Sequence, residues 1–382
     1  MSEQWNDLAA TVRTTIDKLV ASGDEAGVQV AAYLDGEPII DAVAGVADAR
    51  SGRLLTADTP IFSFSVGKGL LATVVHVLAE RHQLDYDLRI ADVWPEYARH
   101  GKGATTLRHA LTHAAGVPAL PADIRPEDFA DWDRMCAIIA DARPEWEPGT
   151  AHGYHAWTYG WLVGETVRRT TGRRVSDVLA TEIAAPLGVP GELLFGVPDD
   201  QLDRVAHLDE RNWSAALEAM AGQLPHLDRV APPGVRPDAA IGNNRDVLGA
   251  DVPAVGTVTA RAAARLFAAL IGEVDGVRLL PPDRLRTATA PVTTGPDWVF
   301  GQPGHTGLGY DIGGGRTARG GRRSGIWFGA SGSGGSLAYG FPELGLSVAA
   351  TKNRMAFSPA DDPMEDLRAL IQAAVTKRRG AS

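Results

Sequence analysis

The chain has 382 residues, 45% hydrophobic and 22% charged, with a formal net charge of -10 at neutral pH. That balance belongs to a folded globular protein with room for two lobes, and the negative charge argues against nucleic acid or an anionic membrane as partner. The single cysteine, Cys136, excludes an internal disulfide and a cysteine-based metal cluster, and fits a reducing compartment.

Leu8, Val12, Ile16 and Leu19 recur at helical spacing and predict a helix from about Trp5 to Ser22, which Gly23-Asp24 ends. The residues at the start show no basic region followed by an apolar core, and no run is long and apolar enough to span a membrane. A cytoplasmic location is the expectation. Two strand-like runs, Val28–Leu34 and Glu37–Ala44, are joined by Asp35-Gly36, a strong hairpin signal.

Ser65-Val66-Gly67-Lys68 comes next, at the head of an apolar helical run. Positions i and i+3 share a helix face, so the hydroxyl and the amine can meet. A lysine in a dry pocket can lose its proton and activate the serine, which implies acyl transfer.

From about Leu88 to Ile271 the pattern is mainly helical, with a loop-rich stretch over 202–255 that can form a lid or pocket wall. Cys136 sits in an apolar helical run and reads as an inert buried thiol. The turn Glu147-Pro148-Gly149 leads into an aromatic cluster holding Tyr154 and Tyr159. Serine-lysine chemistry needs a second proton carrier, and a phenol whose pKa a nearby ammonium lowers can supply it. Both tyrosines are candidates; the turn favours Tyr154.

Strand-like sequence returns in 324–329, 336–341 and 346–350, and a helix over Met364–Thr376 closes the chain. The glycine-rich Phe328–Ser336 stretch is either a plain hairpin turn or a backbone that donates N–H groups to an oxyanion. Strands at both ends with helices between predict an α/β lobe from residues 1–87 and 290–382, and a mainly helical lobe over 88–289 inserted between them. The nucleophile then lies at the seam. No G-x-S-x-G occurs, which disfavours a Ser-His-Asp triad. The histidine spacings suggest no metal site, and neither metal nor cofactor is expected. His155 and His305 can face the pocket, although a structural or surface role is the commoner one.

In chain order, Ser65-Val66-Gly67-Lys68, the segment Leu111–Pro118, Tyr154 and Ala330-Ser331-Gly332 resemble the motifs of the serine β-lactamase and penicillin-binding-protein superfamily. The likeness is greatest to class C β-lactamases and family VIII carboxylesterases. Leu308-Gly309-Tyr310 and Asn353-Arg354-Met355 resemble segments flanking the third motif. The resemblance implies an antiparallel sheet flanked by helices, with an inserted mainly helical lobe. It also implies Ser65 as acylated nucleophile, Lys68 as its base and Tyr154 as proton relay. The oxyanion would sit between the N–H groups of Ser65 and Ser333, with Ser331, Gly332 and His155 beside the substrate.

Two positions depart from the pattern. Tyr154-His155-Ala156 lacks the asparagine of Y-x-N, and Ala330 stands where β-lactamases keep lysine and many esterases histidine. Both losses point away from β-lactams and D-alanyl peptides and toward small uncharged esters. A carboxylesterase is the first expectation, and an acyltransferase or peptide-cyclising thioesterase the second. A non-catalytic binding protein of the same fold is the third.

Overall fold

The computed structural model describes residues 5–224, 226–293, 295–313, 326–357 and 362–380. Seven strands form one antiparallel sheet: β1 (Gly27–Leu34), β2 (Glu37–Asp48), β3 (Arg53–Leu54), β4 (Asp311–Ile312), β5 (Phe328–Ser331), β6 (Leu337–Phe341) and β7 (Leu346–Lys352). Their order is β3-β2-β1-β7-β6-β5-β4. β1 pairs with β7 from Val28↔Lys352 to Leu34↔Leu346, so strands from the two ends of the chain lie side by side at the centre. The predicted hairpin forms with Asp35 at φ 49° and Gly36 at φ 84°, the pair of positive φ values that a tight two-residue turn requires. Ser324 and Gly325, part of the expected strand over 324–329, lie outside the described residues; the ladder starts at Phe328.

Five helices cover the sheet and build the site: α1 (Asn6–Ala21), α2 (Val66–Glu80), α3 (Thr158–Thr171), α4 (Ala260–Ile271) and α5 (Pro363–Arg379). The period-2 alternation of β1 divides its side chains between two cores. Val28, Val30 and Ala32 pack with Val12 and Ile16 of α1 and with Leu367 and Ile371 of α5. Ala31 joins the larger core on the other face, which contains Ala263 and Phe267 of α4 and most of α2. Residues 260–271 thus pack on the sheet, although the sequence pattern groups them with the helical lobe. A hydrophobic face that wide is buried only by helices on both sides.

A second, three-stranded sheet was not legible from the sequence. Ile61–Phe62 and Leu193–Leu194 both pair with Thr257–Val258, two residues each, too short for a periodic signal. This sheet fixes the segment that precedes Ser65. Among the described residues, no helix is long and apolar enough to cross a membrane.

Candidate active site

Ser65 caps α2, a helix buried from Val66 to Ala79 because apolar residues surround its axis. The approach to it is strained: Phe64 holds φ 45°, a left-handed value unusual for a bulky residue. The small sheet enforces that turn, as Ser63 N donates to Gly256 O at 2.7 Å and Gly256 N to Phe64 O at 2.9 Å. Gly67 allows the 255–256 backbone to lie directly on α2, since a Cβ there would stand 2.1 Å from the Val255 carbonyl carbon.

That close approach brings Ala254 to Lys68. Lys68 Nζ lies 3.1 Å from Ser65 Oγ, 2.7 Å from Ala156 O and 3.2 Å from Ala254 O. Lys68 is only 5% exposed, and burial lowers its pKa from 10.5 to about 7; the Asp311 carboxylate opposes the shift. In the amine form its two N–H bonds go to the two carbonyls, which turns the lone pair to the Ser65 hydroxyl.

Tyr154 donates its phenolic hydrogen to Ser65 Oγ at 2.7 Å. Its ring lies 4.9 Å from Lys68 Nζ. The expected lowering of its pKa is not what the structure gives: burial raises it, with Asp311 and Asp297 adding to the rise, so the phenol keeps its proton at neutral pH. Desolvation is the largest cause, and the hydrogen bond to Ser65 offsets only part of it. Tyr159 is fully buried in the core, and its hydroxyl has no hydrogen-bond partner among the described residues.

The segment Leu111–Pro118 fixes the Tyr154 turn. Gly153 N donates to His113 O, His155 N to His113 Nδ1, and Val117 N to His155 Nε2, all within 3.1 Å. His155 Nδ1 in turn donates to Gly153 O at 2.7 Å. Both ring nitrogens of His155 are therefore occupied by backbone, the residue is fully buried, and burial lowers its pKa to about 4. His155 is a neutral brace of the turn and not the substrate contact expected from sequence. The His113 ring sits 5.1 Å from the rings of both Tyr154 and Tyr159, and burial keeps it neutral.

Opposite Ser65, the end of β5 runs into Gly332 and Ser333. A Cβ on Gly332 would stand 2.0 Å from Ser63 O and 3.2 Å from Ser65 N, so only glycine brings these two backbones together. Gly332 N donates to Ser336 O at 2.8 Å, while the N–H groups of Ser65 and Ser333 have no acceptor among the described residues. Two unmatched N–H groups beside a nucleophile suit an oxyanion. Ala330 is buried, with its Cβ facing Gly69 of α2.

These groups share a cleft of about 440 Å³ lined by Ser65, His113, Tyr154, Ser331, Gly332 and Ser333. Its other wall is residues 297–306 together with His152 and Asp311. Of the 202–255 stretch, read from sequence as a candidate lid or pocket wall, Ala254 reaches Lys68 through its carbonyl, and no residue of it is among those lining the cleft. Asp297, His152 and Gln302 were missed because no motif marks them; only the Gly304-His305 stretch hinted at this approach. Among the described residues, no group of three or more His, Cys, Asp or Glu is placed to hold a metal ion.

A serine at a helix N-terminus, a desolvated lysine one turn on and a phenol that donates to the serine are the arrangement expected of a serine hydrolase of β-lactamase fold. The chain belongs to the β-lactamase family, whose model matches residues 12–373. It is 33% identical over 340 residues to the esterase/β-lactamase LipL of Mycobacterium tuberculosis, which covers 86% of this chain and 77% of LipL. A penicillin-binding-protein homologue from Caulobacter crescentus superposes with a TM-score of 0.82 at 32% identity, covering 97% of this chain and 98% of that one. A family VIII carboxylesterase superposes with a TM-score of 0.81 at 30% identity, over 95% and 97% of the two chains.

Proposed function

We infer that the protein is a carboxylesterase that forms an acyl-enzyme on Ser65 with small esters lacking a carboxylate. The observation that carries this reading is a fully connected Ser65, Lys68 and Tyr154 beside an Ala330 that offers a substrate carboxylate no cation. A carboxylate leaving water needs such a partner. The arginines of 202–255 do not supply one: Arg204 bonds to Gln201 and the Asp58 carbonyl, and Arg211, Arg229, Arg236 and Arg245 pair with Asp24, Glu145, Asp228 and Asp203, all outside the cleft.

Lys68 takes the Ser65 proton as Oγ adds to the ester carbonyl, and the oxygen that becomes anionic lies between the Ser65 and Ser333 N–H groups. When the C–O bond to the alcohol breaks, Tyr154 gives its proton to the leaving oxygen and regains one from the Lys68 ammonium. Water then repeats the sequence in reverse order on the acyl carbonyl, releasing the acid and restoring Ser65.

Intact-mass measurement with p-nitrophenyl butyrate tests the reading, alongside cephalosporin hydrolysis on the same preparation. The expected result is butyrylation at Ser65, absent in Ser65→Ala, and ester turnover far above cephalosporin turnover. β-Lactam hydrolysis as fast as ester hydrolysis would refute it. Added alcohol that captures the acyl group faster than water would mean an acyltransferase, and no adduct and no product a binding protein.

A further inference from the structure

The wall beyond Tyr154 carries a carboxylate, an unmatched nitrogen and an exposed ring. Asp297 lines the cleft with Ser65 and Tyr154. Its Oδ1 accepts the N–H groups of Val299 and Phe300 at 2.8 and 3.0 Å, which holds the carboxylate in a fixed place. His152 lines the same cleft, is 9% exposed, and its Nε2 has no hydrogen-bond partner among the described residues. Gly304 covers that nitrogen closely; a Cβ there would stand 2.7 Å from it. Phe300 is 42% exposed, with its ring 5.7 Å from that of Tyr154. Apart from Lys68, whose amine is committed to Ser65 and two carbonyls, no lysine or arginine is among the described residues that line the cleft.

Tyr154 protonates the leaving oxygen, so groups beyond Tyr154 face the alcohol portion of the substrate. A carboxylate with an aromatic face beside it is complementary to an alkylammonium. We propose that the preferred ester carries an ammonium group on its alcohol portion, held by the Asp297 carboxylate against Phe300. This rests on the esterase reading and sharpens it to esters of amino alcohols.

The test compares 2-(dimethylamino)ethyl butyrate, cationic at pH 7, with its neutral isostere 3-methylbutyl butyrate, each rate normalised to its uncatalysed hydrolysis. The expected kcat/KM ratio favours the cation by about tenfold, equivalent to ~1.4 kcal/mol. In Asp297→Asn, whose side-chain oxygen still accepts from Val299 and Phe300, the ratio falls to near one, with fluorophosphonate labelling of Ser65 reporting an intact site. Equal kcat/KM for the two esters in the unaltered protein overturns the inference and leaves the esterase reading standing, as does a ratio unchanged in Asp297→Asn. A protein that labels at Ser65 with neither ester refutes the esterase reading and this inference with it.

Discussion

In the proposed mechanism the protonation of Lys68 sets how fast Ser65 can be acylated, and it does so over an unusual pH range. A free lysine with its pKa at 10.5 is an amine in roughly one molecule in three thousand at pH 7. At about 7, the value burial gives Lys68, half the molecules hold the amine. The gain in active fraction is about three orders of magnitude, on the order of 5 kcal/mol of desolvation put to catalytic use. Stopped-flow acylation by p-nitrophenyl butyrate should rise about tenfold per pH unit below 6 and level off above about 7.5, because the amine is the reactive form. Asp311→Asn removes a negative charge that favours the ammonium, so its midpoint should move to lower pH. The stability consequence has a definite sign. Between about 7 and 10.5 the unfolded chain holds a proton on Lys68 that the folded chain lacks, so this residue makes stability increase with pH across that window. Acylation that is flat from pH 5 to 9, or still climbing steeply at pH 9, would refute the argument.

Tyr154→Phe should lower turnover by at least roughly a hundredfold with little change in melting temperature, since it removes only the proton carrier. Tyr159→Phe should leave turnover nearly intact and hold or raise the melting temperature, because it deletes a buried hydroxyl that has no partner among the described residues; reversed effects would exchange the two roles. Gly332→Ala forces a methyl to within 2.0 Å of Ser63 O, so the Ser333 N–H must move away from Ser65. Acylation should fall about a hundredfold or more, the usual cost of one oxyanion donor, while Lys68 keeps its pH midpoint; a normal rate would place the oxyanion elsewhere.

Five strands of the central sheet (β1, β2, β5, β6 and β7), the terminal helices and the residues around Ser65 were legible because each rests on a local rule, whereas the two-residue strands β3 and β4 were not. Asp35-Gly36 specifies its turn, β1 alternates between two cores, and Ser65 and Lys68 share one helix face. What escaped depends on contacts distant in sequence. The two-residue strands at 61–62, 193–194 and 257–258 have no period to detect, yet they hold Phe64 at its positive φ. His155 adjoins Tyr154 in sequence and so looked like a pocket residue, but its neighbours in space are backbone groups that take both nitrogens. The cleft lining from 297–306 was not foreseen, since a loop-rich composition says that a segment is irregular without saying what it faces.

The loss of asparagine at Ala156 has a structural explanation that reconciles it with an active nucleophile. Ala156 meets Lys68 through its carbonyl oxygen, at 2.7 Å, and a carbonyl is supplied by any residue at that position. Ala254, on a different segment, supplies the other carbonyl, again from backbone. The orientation of the lysine lone pair toward Ser65 is therefore independent of the side chain at 156. Ala330 is similar: β5 keeps its ladder with β6, Ala330 opposite Ala338, whatever side chain residue 330 bears. Both departures remove side chains aimed at a substrate and leave untouched the backbone that arms the serine, so the chemistry of acylation and the choice of what is acylated are set by separate parts of the same motifs.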